Sequence, residues 1–136
     1  MRERTLVLLV DDEEIFLEIA AMQLRASGFD AEIARGFAEG LSKAESLQPD
    51  VILSDIYMPP GPSGWDLAFA LYKNPATRDI KFAFFTSLRD PWSELAENQR
   101  AIAKAQFSQI RFFSKTGDLD ELVKGMEALT IPNQKS

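Results

Sequence analysis

The sequence predicts an α/β fold in which five parallel strands form one doubly wound sheet flanked by five helices. Short apolar runs alternate with longer segments of helical periodicity along the whole chain, and this alternation is typical of successive right-handed βαβ units. The apolar runs contain few polar residues, as expected for strands that helices cover on both faces. Neither a linker nor an internal repeat divides the 136 residues. We therefore expect a single domain over residues 1–136, with its core at about 5–129 and a C-terminal tail at 130–136.

Strands and helices are predicted in strict alternation. Strands are expected at residues 5–10, 31–34, 51–54, 81–86 and 110–114, and helices at about 14–27, 37–47, 64–73, 90–106 and from 119 onward. Ser27 and Gly28 are predicted to end the first helix. The fourth helix is expected to begin at Asp90-Pro91-Trp92 and to be long and polar. Asp118 is predicted to cap the last helix, whose apolar stripe comprises Leu119, Leu122, Val123, Met126 and Leu129.

Composition limits both the chemistry and the partners of this chain. It contains no cysteine and no histidine, which excludes disulfides, thiol and imidazole catalysis, and metal sites built from those residues. A net charge of −6 argues against direct binding of nucleic acid, because phosphate recognition requires clustered Lys and Arg. The longest apolar run is too short for a membrane span or a signal peptide. We therefore expect a cytoplasmic protein whose partners are other proteins.

Polar side chains follow the predicted strands at the point where each strand ends. These residues are Asp11 and Asp12 after the first strand, Asp55 after the third, Thr86 and Ser87 after the fourth, and Lys115 after the fifth. Because sites in open α/β sheets form outside the carboxyl ends of the strands, we expect these groups to converge. Crowded carboxylates favour a hard cation such as Mg²⁺. A carboxylate beside Mg²⁺, a hydroxyl group and a lysine amine indicates phosphoryl transfer with aspartate as the nucleophile.

The order and spacing of these residues resemble the receiver domain of two-component response regulators, in particular the chemotaxis-regulator type. The resemblance covers nearly the whole chain, and its motifs are Asp11-Asp12, Asp55-x-x-Met58-Pro59, Thr86-Ser87 and Lys115. It implies the flavodoxin-like strand order 2-1-3-4-5. It also implies a phosphorylation-dependent signalling switch rather than a dedicated enzyme.

The resemblance assigns a role to each site residue. Asp55 would be the phosphoacceptor, taking the group from a histidine kinase, a phosphotransfer protein or a small acyl phosphate. Asp12 would bind Mg²⁺ directly and Asp11 mainly through water, and Asp55 and the backbone carbonyl of Tyr57 would complete the protein ligands. The phosphoryl oxygens would be bound by Lys115 and Thr86.

The resemblance also implies how the signal leaves the site. Ser87 is small enough to leave the acceptor accessible, and Phe112 would be the aromatic residue whose packing follows a movement of Thr86. The changed surface would contact a downstream protein target, an output domain or a second copy in a homodimer.

Simpler interpretations exist for each residue taken alone. The four acidic residues from Asp11 to Glu14 could serve merely to cap the first helix, where the macrodipole favours negative charge. For Glu13 and Glu14, this is the role that we predict. Taken singly, Lys115 is typical of a solvated strand end, Thr86 of a β-branched strand residue and Phe112 of a core aromatic.

Two other functions are compatible with the motifs. The chain could be a receiver-like interaction module whose pocket is inactive. It could also be a Mg²⁺-dependent phosphohydrolase with an aspartyl nucleophile, although enzymes of the haloacid-dehalogenase type carry Asp-x-Asp where this chain has Asp11-Asp12-Glu13.

Two departures from the family pattern concern loops at the site. The family usually has proline after the lysine, often with a cis peptide, whereas Lys115 is followed by Thr116. Because a non-proline cis bond costs about 2.5–4 kcal/mol, we expect either a trans bond there or a strained cis bond that aims the amine. The usual glycine falls nine rather than eight residues after Asp55, at Gly64, so the loop between them is expected to bulge.

Two further departures concern the output surface and the lifetime of the phosphorylated state. The stretch between the fourth strand and Lys115 is longer than usual, and we expect Trp92 and Leu95 to form a partner or dimer contact. Tyr57 and Leu88 occupy positions that tune dephosphorylation in the family. Both are bulky here, which predicts a long-lived phosphorylated state.

Overall fold

Five parallel strands form one sheet in the order β2-β1-β3-β4-β5, which confirms the predicted topology. In the computed structural model, which describes residues 3–107, 110–115 and 117–130, the strands are β1 Leu6–Val10, β2 Asp30–Ala34, β3 Val51–Ser54, β4 Lys81–Thr86 and β5 Arg111–Ser114. All four strand pairs are parallel, with Val10 beside Ser54 and Thr86 beside Ser114. The polar residues occur at the carboxyl ends of β1, β3, β4 and β5. These four ends therefore lie along one edge of the sheet.

Five helices connect or follow the strands: α1 Glu14–Ala26, α2 Phe37–Leu47, α3 Gly64–Lys73, α4 Glu97–Gln106 and α5 Leu119–Thr130. The predicted end of α1 is confirmed, because Gly28 adopts a φ of 99° that suits glycine and Phe29 N donates to Leu24 O. The predicted cap of α5 is also confirmed, since Asp120 N donates to Asp118 Oδ1 at 3.0 Å. Among the described residues, none of the helices combines the length and apolar character needed to cross a bilayer.

The helices cover both faces of the sheet. On one face, α1 and α5 pack against alternate residues of β1, β3 and β4, and the predicted apolar stripe of α5 lies in this core. On the other face, β1 and β3 pack against α2 and α3, and β4 and β5 pack against α3, α4 and the segment that precedes α4. The strands β1 and β3 are buried along their whole length, so these strands reach solvent only through the loops at their ends.

The fourth helix is shorter than predicted, and the prediction of one helix over 90–106 is wrong. A 3-10 turn at Pro91–Glu94 comes first, with the Asp90 side chain accepting from Trp92 N, and extended residues separate it from α4. Leu95 is buried in the core, and Trp65 Nε1 donates to Pro91 O at 3.0 Å. The break exists because Leu95 must turn inward. An Asp-Pro pair signals the start of a 3-10 turn as well as that of an α-helix.

The burial of this segment corrects the expected role of Leu95. Leu95 is only 6% exposed and belongs to the core. Trp92 is only partly buried, with its ring 5.0 Å from that of Trp65, and its expected role in a partner or dimer contact stays a prediction. The exposed apolar residue in this region is Ile102 of α4.

Candidate functional site

The ends of the strands bring the predicted polar residues together. Asp55 N donates to Val10 O at 2.8 Å and Lys115 N donates to Thr86 O at 3.1 Å, so the ladder hydrogen bonds continue one residue past the strands. Asp11 and Asp55 thereby stand side by side after β1 and β3, and Lys115 follows β5. The convergence expected from the sequence is present.

Lys115 is the charge centre of the site. Its Nζ lies 2.8 Å from Asp11 Oδ2 and 3.1 Å from Asp55 Oδ2, and it also forms an ion pair with Glu13. The amine lies over the Phe16 ring at 4.9 Å, and the side chain is only 10% exposed. One ammonium group therefore offsets three carboxylates in a largely desolvated position.

The buried position shifts the pKa of two of these groups. Burial raises the pKa of Asp11 to about 7; the nearby Lys115 ammonium opposes this shift, and the charge of Asp55 adds to it. Burial by itself lowers the pKa of Lys115, but the neighbouring carboxylates of Asp11, Glu13 and Asp55 outweigh that effect and raise it. The pKa of Lys115 thus lies far above neutral pH, whereas that of Asp11 lies close to it.

The carboxylates fit a divalent cation. One oxygen from each of Asp11, Asp12 and Asp55 lies within 4.8 Å of the others. Asp11 Oδ2 is buried and, within the described part of the chain, accepts no well-aligned hydrogen bond, although the amine is close to it. Oxygen ligands in such a cluster suit Mg²⁺, which binds through one or two carboxylates together with waters and phosphate oxygens. The donor set therefore fits the expected cofactor.

A backbone hydrogen bond orients the Asp55 carboxylate within this cluster. Its Oδ1 accepts from Ile56 N at 2.7 Å, which leaves Oδ2 directed toward Lys115. Gly64 N donates to Ile56 O at 2.7 Å, and a Cβ at position 64 would lie 2.0 Å from Asp55 O. Glycine is required here because α3 begins against the backbone of Asp55. The intervening loop includes a cis peptide between Pro59 and Pro60.

A cavity of about 270 Å³ opens above Asp55. Every polar residue predicted at a strand end lines this cavity except Asp11, which is buried. The bulky residues Tyr57 and Leu88 line it as well. The full lining is Asp12, Glu13, Asp55, Tyr57, Pro59, Thr86, Ser87, Leu88 and Lys115. Thr86 is buried, and its Oγ1 accepts from Leu88 N at 3.1 Å. The carbonyl of Tyr57 as a metal ligand and Thr86 as a phosphoryl ligand stay predictions.

Phe112 lies away from the cavity, among other aromatic rings. It stacks on Phe84 at 5.7 Å and meets the Trp92 ring edge-on at 5.5 Å. We define the aromatic cluster as Trp65, Phe69, Phe84, Trp92, Phe107 and Phe112. Phe112 is therefore joined to the site through its strand, and its role in switching stays a prediction.

Glu13 is the site residue that the sequence interpretation missed. It was predicted to be only a helix acid, but its carboxylate pairs with Lys115. Glu14 does behave as an exposed acid at the start of α1, where it pairs with Arg35 at 2.8 Å. The position of Glu13 directly after the two aspartates was the available signal. The Lys115–Thr116 peptide lies outside the described residues.

The geometry agrees with the comparisons to known proteins. The sequence model of the response regulator receiver domain family matches residues 7–127. The chain belongs to this family. As a receiver domain it is similar to the acid tolerance regulatory protein ActR of Rhizobium meliloti, with 26% identity over 121 residues, or 88% of this chain and 57% of ActR. Some curated relatives match most of this chain. The chain spans about half the length of these relatives.

Solved structures of receiver domains share the fold. The response regulator TrrA of Thermotoga maritima, solved in complex with Mg(2+)-BeF, is 26% identical with a TM-score of 0.75, covering 92% of this chain and 98% of TrrA. The chemotaxis protein CheY4 of Vibrio cholerae is 22% identical with a TM-score of 0.76, covering 93% and 98% of the two chains. The similarity to CheY4 shows a shared fold and no more.

Proposed function

We propose that this receiver domain, taken as one domain over residues 1–136, is a cytoplasmic signalling switch that is phosphorylated on Asp55. The observation that carries the proposal is the contact between Lys115 Nζ and Asp55 Oδ2 at 3.1 Å, beside a cluster of aspartate oxygens suited to Mg²⁺. A nucleophile, a fixed cation and a place for a second cation are the elements that phosphoryl transfer requires.

In the proposed reaction, Asp55 Oδ2 attacks the phosphorus atom of the donor. The new P–O bond forms as the donor's P–N bond to histidine, or the P–O bond of an acyl phosphate, breaks. The leaving nitrogen or oxygen keeps the electron pair, and a histidine nitrogen then binds a proton from solvent. Bound Mg²⁺ supplies charge neutralisation for the phosphoryl oxygens, with Asp11, Asp12, Asp55 and the Tyr57 carbonyl as its protein ligands.

The remaining residues of the chain position the group and transmit the change. Lys115 pairs with one phosphoryl oxygen, and the hydroxyl of Thr86 donates to another after giving up its hydrogen bond with Leu88 N. That movement alters the packing of Phe112 in the aromatic cluster and thus the surface around α4. The donor partner is a histidine kinase or phosphotransfer protein, and the receiving partner is a downstream protein, an output domain or a second copy.

The direct test is incubation with acetyl phosphate and Mg²⁺ followed by intact mass measurement. We expect wild type to gain one phosphoryl group and Asp55→Asn to gain none. Asp79→Asn, at an exposed position, is the matched control and should be phosphorylated like wild type. Equal labelling of wild type and Asp55→Asn would contradict the proposal.

The two alternative functions give different results in the same experiment. An interaction module with an inactive pocket gains no phosphoryl group, with or without Mg²⁺. A phosphohydrolase releases inorganic phosphate from a chromogenic phosphate ester over many turnovers. We expect labelling of Asp55 and no sustained turnover.

A further inference from the structure

Glu13 sits where an incoming phosphoryl group needs the charge of Lys115. Its carboxylate pairs with the Lys115 amine, and it lines the same cavity as Asp55. Its side chain is 62% exposed, whereas those of Asp11 and Asp55 are 0% and 9% exposed. Glu13 is thus the solvent-facing member of the three carboxylates around the amine.

Carboxylates crowd the Lys115 amine in this arrangement. The amine donates to Glu13 and to Asp55 Oδ2 at 3.1 Å, and Asp11 Oδ2 lies 2.8 Å from it. A phosphoryl oxygen that pairs with Lys115 therefore competes with these carboxylates for the amine. Asp11 Oδ1 is held by Glu13 N at 3.2 Å and Asp55 Oδ1 by Ile56 N at 2.7 Å, whereas the exposed Glu13 carboxylate can turn into water.

We propose that Glu13 is a positioning residue that holds the Lys115 amine before phosphorylation and releases it when the phosphoryl group arrives. The inference rests on the proposed phosphorylation of Asp55. Glu13 slows that reaction in two ways: it occupies the amine, and its negative charge at the cavity mouth repels an anionic donor.

The test compares three variants in acetyl phosphate and Mg²⁺, with phosphorylation followed by intact mass. Glu13→Gln removes the charge and keeps the shape, and it should raise the initial rate about threefold at low salt, the size expected for a partly exposed charge contact. Glu13→Asp keeps the charge and should remain closer to wild type. Glu14→Gln makes the same change of net charge outside the cavity and should react like wild type.

Ionic strength separates this role from a purely structural one. Because salt screens exposed charges, the rate advantage of Glu13→Gln should shrink toward wild type as salt is added, while thermal unfolding of the two proteins stays similar. Mg²⁺ affinity, measured by titration without donor, should change little in Glu13→Gln.

The possible contrary results are distinct. A Glu13→Gln rate equal to or below wild type, or an equal gain in Glu14→Gln, overturns the inference while leaving Asp55 as the phosphoacceptor. A lower rate together with a large loss of Mg²⁺ affinity overturns it as well, because Glu13 would then serve the cation. Failure of wild type to be phosphorylated at all is instead the failure of the proposed function.

Discussion

The cavity above Asp55 and the aromatic cluster around Trp65 are joined by the same two strands but are held together by different forces. β4 carries Phe84 in the cluster and Thr86 at the cavity, and β5 carries Phe112 in the cluster and leads to Lys115. In the cavity, one amine offsets several carboxylates. In the cluster, six rings fill space, and the charged group beside them is the Lys104 amine, which lies 5.4 Å from the centre of the Trp92 ring.

This contrast indicates how changes in each region should act. The cavity depends on individual atoms, so a change there should alter chemistry more than folding. The cluster depends on filled volume, so a change there should reduce the free energy of unfolding while the phosphoacceptor stays intact. Variants in each region can separate these two dependences.

The largest expected effect is in the cluster, at Trp65. Its side chain is 1% exposed and contacts five other rings. The substitution Trp65→Ala should lower the free energy of unfolding by about 3–5 kcal/mol, because loss of the indole ring leaves a large cavity. Urea unfolding measures the loss. Trp92→Ala, at a half-buried position, should cost less. An equal loss in both would contradict the central place of Trp65.

The next effect belongs to the cavity, at Lys115. Lys115→Met keeps the length of the stem and removes the charge, so phosphorylation by acetyl phosphate should slow about 100-fold, as for loss of a preorganised charge-stabilising donor. Initial rates from intact mass measure this. Lys124→Met, at an exposed position on α5, is the control. A wild-type rate in Lys115→Met would show that the amine is dispensable.

The raised pKa of Asp11 makes the cavity sensitive to pH. Because burial raises this pKa from 3.8 to about 7, protons compete with Mg²⁺ for Asp11, and Mg²⁺ affinity should fall as pH is lowered through about 7. Titration of Mg²⁺ at several pH values measures it. The steep part of this dependence should be absent in Asp11→Asn, and its persistence there would assign it to another group.

The free energy of unfolding of the metal-free protein should show the opposite dependence on pH from that of Mg²⁺ affinity. The folded protein binds the Asp11 proton more tightly than the unfolded chain, so the folded state gains stability as pH falls from about 7 toward 3.8. That contribution is lost as pH rises through about 7. Urea unfolding with a chelator present measures the trend, and a flat profile that matches Asp11→Asn would contradict it.

The smallest expected effect concerns the two bulky residues at the cavity, Tyr57 and Leu88. Both line it, and we expect them to restrict water around the phosphorylated Asp55. The double substitution Tyr57→Asn and Leu88→Ser should shorten the phosphorylated lifetime severalfold, measured by mass after donor removal. An unchanged lifetime would count against restricted water access.

The sequence was sufficient for the features that depend on strand ends. Asp11, Asp55 and Lys115 could be placed together because parallel strands bring their carboxyl ends to one edge, whatever the details of packing. The strand order came from the family resemblance and is confirmed.

Features that depend on distant packing could not be predicted. Glu13 and Lys115 are 102 residues apart in the chain. The position of Glu13 after the two aspartates signals that it lies near the site, but no local pattern reports that it pairs with Lys115. The break before α4 depends on the burial of Leu95 beneath the aromatic cluster, whereas the local Asp-Pro signal fits either kind of helix. In both cases a tertiary contact determines the outcome.

Chemical trapping of the phosphorylated residue tests the central claim most directly. Borohydride reduces an aspartyl phosphate to homoserine, which peptide mass spectrometry can locate after treatment with acetyl phosphate and Mg²⁺. We expect homoserine at position 55 and at no other aspartate, with none formed when Mg²⁺ is chelated. Homoserine at position 11 or 12, or its absence from position 55 in a protein that has gained a phosphoryl group, would contradict the assignment of Asp55.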